Sequence, residues 1–570
     1  MGARRVLVIG AGPCGLVALK ELREAGHDAM ALDKASDIGG LFARGASGQY
    51  ESLYLTISNV FMAFSDFPPP DLTIKYSSKD EYGRYLEAYA EHFGLRPHVR
   101  LRTEVVHATW CDDRWQVRAR TGGHEEVLGA DALVVATGAN QKPRRLHLPG
   151  FTGQVLHSSE YRRAEDFVGK RVLVVGAGES ACDVAADLGE AGVDVTLWSR
   201  SPLAPAPRWP VHLSFQRQHD ELELMKSEEK TPRARVSDFL EVMTTSRMAN
   251  AAPLWAYSAV RHAIFSAWRA APAPGRLLSF LNRDQMEDPL LGDQISVPTK
   301  SARFCTAAAR GQLRLVVAPK ATFSGTSARF EGVRYQGTGS RMDTRTREAT
   351  LEDVDVVVAC TGYEMDFSWL DAPGVAWNPR SWFKHCFPVG WGARLAFLGW
   401  ARPHQGGIPA CAEMLSRYLA LLLSGERTLP ADYAERTKRE GADEEALFVR
   451  ARHSKNLVDY FAFMDSVARL VGCLPDPPSW STPARRIQYW MYPNWPVWYR
   501  MNGPGARPDV VERLLAALPL GRAYLPNPFI GLALAFSLMQ LPIDAVTKPT
   551  AGLTGRWALK AKKHLLHGNG

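Results

Sequence analysis

Two glycine-rich turns, Gly10-Ala11-Gly12-Pro13-Cys14-Gly15 and Gly176-Ala177-Gly178-Glu179-Ser180-Ala181, stand 166 residues apart in a chain of 570. Each follows an apolar run of β type, Arg5-Val6-Leu7-Val8-Ile9 and Arg171-Val172-Leu173-Val174-Val175, and each opens a helical pattern. In that setting glycines leave backbone N–H groups bare at a helix N-terminus, where aligned peptide dipoles attract a pyrophosphate. The pattern predicts two dinucleotides on one protein. For either turn taken alone, a tight strand-to-helix connection in an unrelated α/β protein is the competing reading.

The strands that follow the turns differ in their ends. Ala29-Met30-Ala31-Leu32 runs into Asp33, 23 residues beyond Gly10, where a carboxylate can accept from ribose hydroxyls. FAD is favoured at this site because the turn opens the chain and Gly39-Gly40-Leu41-Phe42 follows the acid. Its candidate binding residues are Gly10, Gly12, Gly15, Asp33, Gly40, Leu41 and Phe42, together with Val105, Thr137 and Gly138. The second strand, Val193-Asp194-Val195-Thr196-Leu197-Trp198, runs instead into Ser199-Arg200. A hydroxyl and a guanidinium suit a 2′-phosphate, which an acid would repel, so the second cofactor is read as NADPH rather than NADH. Gly176, Gly178, Ser180, Ser199 and Arg200 are its candidates, with Thr361 and Gly362 as further cofactor-binding candidates, and a solvated arginine closing a strand is the other reading of Arg200.

These turns need sheets and helices to position them. The length suits two or three domains, and 46% hydrophobic with 22% charged residues is ordinary globular composition. A net charge of +8 without a basic stripe or a nucleic-acid motif gives no reason to expect nucleic acid. The eight cysteines show no CxxC or zinc spacing, which argues against a disulfide framework and a metal site. A strand begins within five residues of Met1, leaving no room for a leader, so a cytoplasmic location is expected. Asp131-Ala132-Leu133-Val134-Val135-Ala136-Thr137-Gly138 and Val354-Asp355-Val356-Val357-Val358-Ala359-Cys360-Thr361-Gly362-Tyr363 read as buried strands ending in Thr-Gly, each before a crossing between domains. The predicted class is α/β, with two Rossmann-like dinucleotide-binding domains. Residues 1–150 and 321–430 form a split FAD domain, 151–320 an inserted NADPH domain with a helical insertion over about 202–300, and 431–570 a mostly helical C-terminal region.

Between the turns, Phe151, Gly153, His157 and Tyr161 match the FxGxxxHxxx(Y/F) signature, and here the chain resembles the flavin-containing monooxygenases, a family of class B flavoprotein monooxygenases. Phe64-Ser65-Asp66-Phe67-Pro68, Thr361-Gly362-Tyr363 and Gly406-Gly407-Ile408-Pro409-Ala410-Cys411-Ala412-Glu413 are similar to further family motifs. So are Val458-Asp459-Tyr460, Met464-Asp465, Gly472-Cys473-Leu474-Pro475 and Tyr499-Arg500-Met501-Asn502-Gly503-Pro504-Gly505, which extends the likeness over about residues 5–525. The chain departs from the pattern twice. Thr56 stands where the family's flavin-side Asn is expected, with Asn59 three residues on, and these two are the flavin-proximal catalytic candidates. The second turn carries Glu179 where Asn is usual and ends in Ala181.

The resemblance implies an FAD- and NADPH-dependent monooxygenase of the N,N-dimethylaniline type, with a small molecule and O2 as reactants. Such enzymes form a flavin C4a-hydroperoxide and pass one oxygen atom to nitrogen or sulfur. The chemistry resides in the cofactor, which fits the lack of a catalytic triad; the protein supplies a dry cavity and the grip on NADP+. His157 and Tyr161 read either as cofactor contacts or as a packed linker, and Tyr161, where Baeyer–Villiger relatives usually have Trp, favours heteroatom oxidation. Trp490, Trp495 and Trp498 read as packing rather than a substrate cage. A Baeyer–Villiger enzyme converting ketones to esters, a flavin-containing NADPH oxidase or reductase, and a non-enzymatic scaffold stand as rivals. The 13-residue uncharged run Phe529–Leu541, with Arg556, Lys560, Lys562 and Lys563 after it, is too short to span a bilayer. It reads either as a peripheral membrane contact or as a docked helix, and homo-oligomerisation is left open.

Overall fold

The computed structural model describes residues 2–70, 75–206, 247, 277, 280–282, 299–301, 303–339, 341–448 and 454–517. Most of the expected insertion over 202–300, and all of the Phe529–Leu541 run and its basic cluster, lie outside the described residues. None of the described helices is long and apolar enough to cross a membrane.

Two separate parallel sheets carry the two turns, in an α/β architecture. The first has five strands in the order Leu395–Phe397, Ala132–Val135, Arg5–Ile9, Asp28–Leu32, Val99–Arg100. Its central strands are continuous apolar runs, with Val6, Val8, Leu133 and Val134 fully buried, as a parallel sheet covered on both faces requires. Helix α1 (Pro13–Glu24) starts at Gly12 with proline in its first turn, where a missing N–H costs nothing. It packs on the long Ile408–Ser424 helix. A four-stranded sheet built on Thr103–Cys111, Arg114–Thr121 and His124–Ala130 covers the other face through Trp115 and its neighbours.

The second sheet has seven strands. Gln154–His157, Val356–Ala359, Arg171–Val175, Asp194–Ser199 and Arg314–Val317 run parallel, and Tyr335–Thr338 and Arg341–Asp343 extend the edge antiparallel. This pairing corrects one boundary. The return to the first unit was expected near residue 320, yet Val356–Ala359 hydrogen-bonds to Arg171–Val175 in the second sheet. The chain re-enters the first sheet only with Leu395–Phe397, which pairs with Ala132–Val135. The second Thr-Gly strand ends the second sheet just as Ala132–Val135 ends the first passage through the other, so the crossing follows it.

Short polar contacts join the units. The Gly48 N–H donates to the Ser159 carbonyl at 3.2 Å, the Glu51 N–H to the Arg162 carbonyl at 2.9 Å, and the Tyr50 hydroxyl to Asp183 of helix α4 (Glu179–Glu190) at 2.9 Å. Tyr161 is a packing residue. It is fully buried, stacks on Phe167 and donates its hydroxyl at 2.6 Å to Asp187, which Arg303 also engages. Desolvation and the Asp187 charge push the phenol far above its ordinary range, so it stays a donor. Of the two readings of this linker aromatic, packing against α4 is the one the geometry takes. Tyr161→Phe is expected to lower stability by about 1–3 kcal/mol, the usual loss for a buried hydrogen bond to a charged group, with flavin content unchanged; thermal unfolding and absorbance check both.

Candidate active site

The first turn and its neighbours form one backbone cradle. A Cβ on Gly15 would stand 1.9 Å from the Gly10 carbonyl oxygen, and one on Gly10 would stand 2.5 Å from that of Ala136, so neither position admits a side chain. Gly12 faces Gly40, whose φ of 59° and own missing Cβ let the two backbones touch. The Gly39 N–H donates to the Ala11 carbonyl at 2.9 Å, which draws Gly40, Leu41 and Phe42 onto the turn. Thr137 and Gly138 follow Ala136 at the same edge, and Val105 lies half-buried on the neighbouring four-stranded sheet. Asp33 accepts from the Ala11 N–H at 2.6 Å and the Ala35 N–H at 2.8 Å. Each carboxylate oxygen keeps a second lone pair, so a ribose hydroxyl can still donate to it.

The second turn is built the same way. A Cβ on Gly176 would meet the Cys360 carbonyl oxygen at 2.6 Å, which sets Thr361 and Gly362 beside the turn. Around Gly178 there is open space. Ala181 is buried without conflict, and Glu179 opens α4, where a negative charge complements the helix dipole; Ser180 is exposed next to it. Ser199 departs from its expected part. It is 3% exposed and its hydroxyl donates to the Ser201 carbonyl at 2.6 Å, because the inward face of the strand end takes residue 199 and leaves 200 outside. Arg200 is exposed and forms no ion pair among the described residues, so the strand end offers one free guanidinium.

His157 bridges the two crossings. It is buried, its Nδ1 accepts from the Ser159 N–H at 3.1 Å, and its Nε2 lies 3.0 Å from the Gly362 carbonyl, which assigns the proton to Nε2. Burial holds its pKa below the ordinary histidine value and the ring neutral. Thr361 donates its hydroxyl to the Arg144 carbonyl at 2.5 Å. The linker signature thus ties one crossing to the other.

The two flavin-proximal candidates part company. Asn59, in helix α2 (Asn59–Met62), is buried, and its Oδ1 accepts from the Lys75 N–H at 3.0 Å while its own N–H donates to the Lys75 carbonyl. That pairing fastens one strand of chain to another. Thr56 is half-buried in the same segment.

One cluster was not anticipated from the sequence. Lys20 and Glu21 of α1, Asp66, Glu413, Arg417 and Arg500 meet in the interior, each less than a tenth exposed. They come from α1 and three of the family-like motifs, which therefore converge on an ionic centre. The available signal was Glu413 with Arg417 one turn on, the only charges in the apolar run Ile408–Ser424.

Residues 3–203 and 342–518 match the model of the flavin-binding monooxygenase-like family. The chain belongs to that family. FAD and NADPH are the cofactors of this class, in agreement with the two turns. The chain is 33% identical to a 4-hydroxybenzoate brominase (decarboxylating) of Marinomonas mediterranea, covering 90% of this chain and 93% of that one. It is 28% identical to flavin-containing monooxygenase 5 of Oryctolagus cuniculus, covering 89% and 90%. Its fold is similar to that of S-allyl-L-cysteine S-oxygenase from Allium sativum, with a TM-score of 0.54 at 19% identity over 90% of this chain and 98% of the other.

The unequal surroundings of the glycines give a paired test. Gly12→Val introduces a branched side chain where the turn faces Gly40, and is expected to give soluble, folded, colourless protein. Gly178→Ala projects a methyl into open space, and is expected to keep flavin while weakening NADPH. Yellow Gly12→Val protein with full flavin content would contradict the first assignment.

Proposed function

We propose that the chain is an NADPH-dependent FAD monooxygenase that inserts one oxygen atom from O2 into a nitrogen or sulfur of a small molecule, the second atom leaving as water. The observation that carries this reading is the pair of glycine cradles on separate sheets, the second ending in Arg200, which is exposed and forms no ion pair among the described residues. Bound flavin, reduced by NADPH, supplies the activation of O2 and the transfer to substrate. The bare N–H groups at the start of α1 bind the FAD pyrophosphate, and Asp33 orients the ribose. The N-terminus of α4 binds the second pyrophosphate and Arg200 the 2′-phosphate. Tyr50 keeps the two units in register through Asp183, and His157 fixes the Gly362 end of the second sheet, so that water stays out of the space between the nucleotides. Tyr161 acts through Asp187, away from the reacting atoms. The eight cysteines are all free and scattered, which gives a pure reductase no dithiol acceptor.

A second reading has a specific support. The relative with 33% identity is a 4-hydroxybenzoate brominase, and bromide is also a soft nucleophile that accepts an oxygen atom. Thr56, in place of the family's flavin-side Asn, is the departure nearest that chemistry. Incubation with a tertiary amine, a thioether, a ketone, or bromide with 4-hydroxybenzoate separates the readings by product. An N-oxide or sulfoxide supports the first and a brominated phenol the second. Ester alone would make the enzyme a Baeyer–Villiger catalyst, and peroxide alone in all four would make it an oxidase.

Arg200 supplies the cofactor test. A guanidinium–phosphate pair contributes about 1.5–3 kcal/mol per charge-assisted bond, so Arg200→Ala is expected to raise the KM for NADPH by about one to two orders of magnitude. NADH, lacking the phosphate, should be nearly unaffected. An equal loss with both donors would show that the preference has another source.

A further inference from the structure

Three distant stretches of chain converge on Arg500. Its Nη2 donates to Glu21 of α1 at 2.5 Å, to Asp66 at 3.1 Å and to Glu413 at 2.8 Å. Its Nε donates to the Ser65 hydroxyl at 2.7 Å and its Nη1 to the Gly505 carbonyl at 2.9 Å. Lys20 engages Glu21 at 3.1 Å and also Asp66. The three carboxylates lie close enough together to chelate a cation, and Lys20 and Arg500 fill that part. With Arg417 alongside, three cations face three carboxylates in a site from which water is excluded. Such a cluster tolerates balance and little else, because an unpaired buried charge costs far more than the pair contributes.

The cluster also ties one end of the flavin-side segment to α1. Asp66 and Ser65 close the stretch that begins at Thr56, and Glu21 lies on the helix whose N-terminus is the first turn. The Tyr85 hydroxyl accepts from the Phe64 N–H at 2.8 Å and donates to the Phe67 carbonyl at 2.7 Å. Gly407, which begins the helix of Glu413, is so near Phe61 that a Cβ there would stand 2.2 Å from its carbonyl oxygen. The segment cannot shift without moving Asp66 on the guanidinium.

We propose that Arg500 is a positioning residue for oxygen transfer, and that its charge locks the segment Thr56–Phe64 to the C-terminal half of α1, the helix that starts at the first dinucleotide turn, by joining Ser65 and Asp66 to Glu21 and to Glu413. The proposal rests on the reading of that turn as the flavin cradle. A neutral side chain of similar length would preserve the bulk and lose the lock. Lysine would restore the charge without the planar fork that reaches five acceptors.

The test compares wild type, Arg500→Met, Arg500→Lys and Arg500→Met/Glu413→Gln. Flavin content, hydrogen peroxide released per NADPH consumed, and Tm as a function of pH are measured on each. In Arg500→Met the Tm at neutral pH is expected to fall by about 10 °C, and the share of NADPH ending as peroxide to rise roughly tenfold. Lowering the pH should then restore Tm. Burial already pushes the Glu413 carboxyl up, and removing its principal cation raises it further. The folded variant therefore takes up a proton that an unfolded glutamate, at about 4.3, does not. A raised folded pKa gives stability that is present at low pH and lost as pH rises through it, so recovery comes on acidification. The groups facing Glu413 are Lys20 and Glu21 of α1, Asp66, Tyr85 and Tyr89, Arg417 on its own helix, and Tyr460 and Cys473 from the C-terminal region.

Arg500→Met/Glu413→Gln removes one charge of each sign and is expected to recover Tm at neutral pH without acid, while peroxide release stays as high as in Arg500→Met because the bonds from residue 500 to Ser65, Asp66 and Glu21 are still missing. Its amide can still accept from the Ser65 N–H and donate to the Ser65 hydroxyl. Arg500→Lys should lie between wild type and Arg500→Met. Wild-type coupling in a flavin-loaded Arg500→Met would sink the positioning role. A lost Tm that neither acid nor Glu413→Gln restores, or insolubility of the double variant, would show that shape rather than charge matters and would overturn the proposal. Wild-type protein that binds no FAD would sink the reading of the turn instead, while the pH response of Tm would still decide the charge argument.

Discussion

Backbone must approach backbone at the two turns, and the rest of the molecule is arranged around that steric demand. At Gly10 and Gly176 a Cβ would stand 2.5 and 2.6 Å from a carbonyl oxygen of the adjoining parallel strand, at Ala136 and Cys360 respectively. The first glycine of each turn is therefore dictated by the neighbouring strand, before any ligand is considered. That strand ends in Thr-Gly in both units, so the turn, the strand end and the helix N-terminus form one rim. A parallel sheet delivers such a rim at the carboxyl ends of its strands, which is where ligands of open α/β sheets bind.

Two such rims are useful only if they face each other in a constant way. The chain crosses between the sheets twice, through residues 136–153 and 360–394, so rigidity must come from bonds between them. Arg144 supplies one, its N–H donating to the Gly362 carbonyl at 2.9 Å and its carbonyl accepting from the Thr361 hydroxyl, while His157, neutral through burial, reaches the same Gly362 carbonyl from the neighbouring strand of the second sheet. Tyr50 supplies another, running from the first unit to Asp183 on the helix that begins at the second turn. Both bonds end on the elements that bear the nucleotide candidates, so the register of the two sites is set by a few polar contacts within an apolar joint.

Much of this was legible in the sequence because it depends on local pattern. Apolar runs of five residues followed by glycines at fixed offsets specify strand, turn and helix start together, and both copies form as expected. The boundary near 320 was misplaced for a topological reason: which sheet receives Val356–Ala359 is decided by pairing with Arg171–Val175 across nearly two hundred residues, and nothing local records it. Ser199 is buried and Arg200 exposed because alternation along a strand decides which of two adjacent residues faces inward, and a dipeptide at the strand end does not reveal the phase. The ionic cluster escaped for a third reason. Its members are separated by up to 479 positions, as between Glu21 and Arg500, and each alone resembles a surface charge on an amphipathic element.

The motif segments are better understood as parts of that cluster than as parts of the reactive surface. Asp66, Glu413 and Arg500 lie in three different motif-like stretches, and all three are spent on one another and on α1. Asn59, which by type could have stood for the flavin-side Asn, is likewise spent on the backbone of Lys75. Of the residues in this segment that were weighed for chemistry, Thr56 alone is left with neither an ionic nor a backbone duty to explain it. The scaffold around the segment is that of the family, and within it Thr56 is the position that departs in chemical type. The nucleotide cradles have no such latitude, because their glycines are fixed by the sheets themselves.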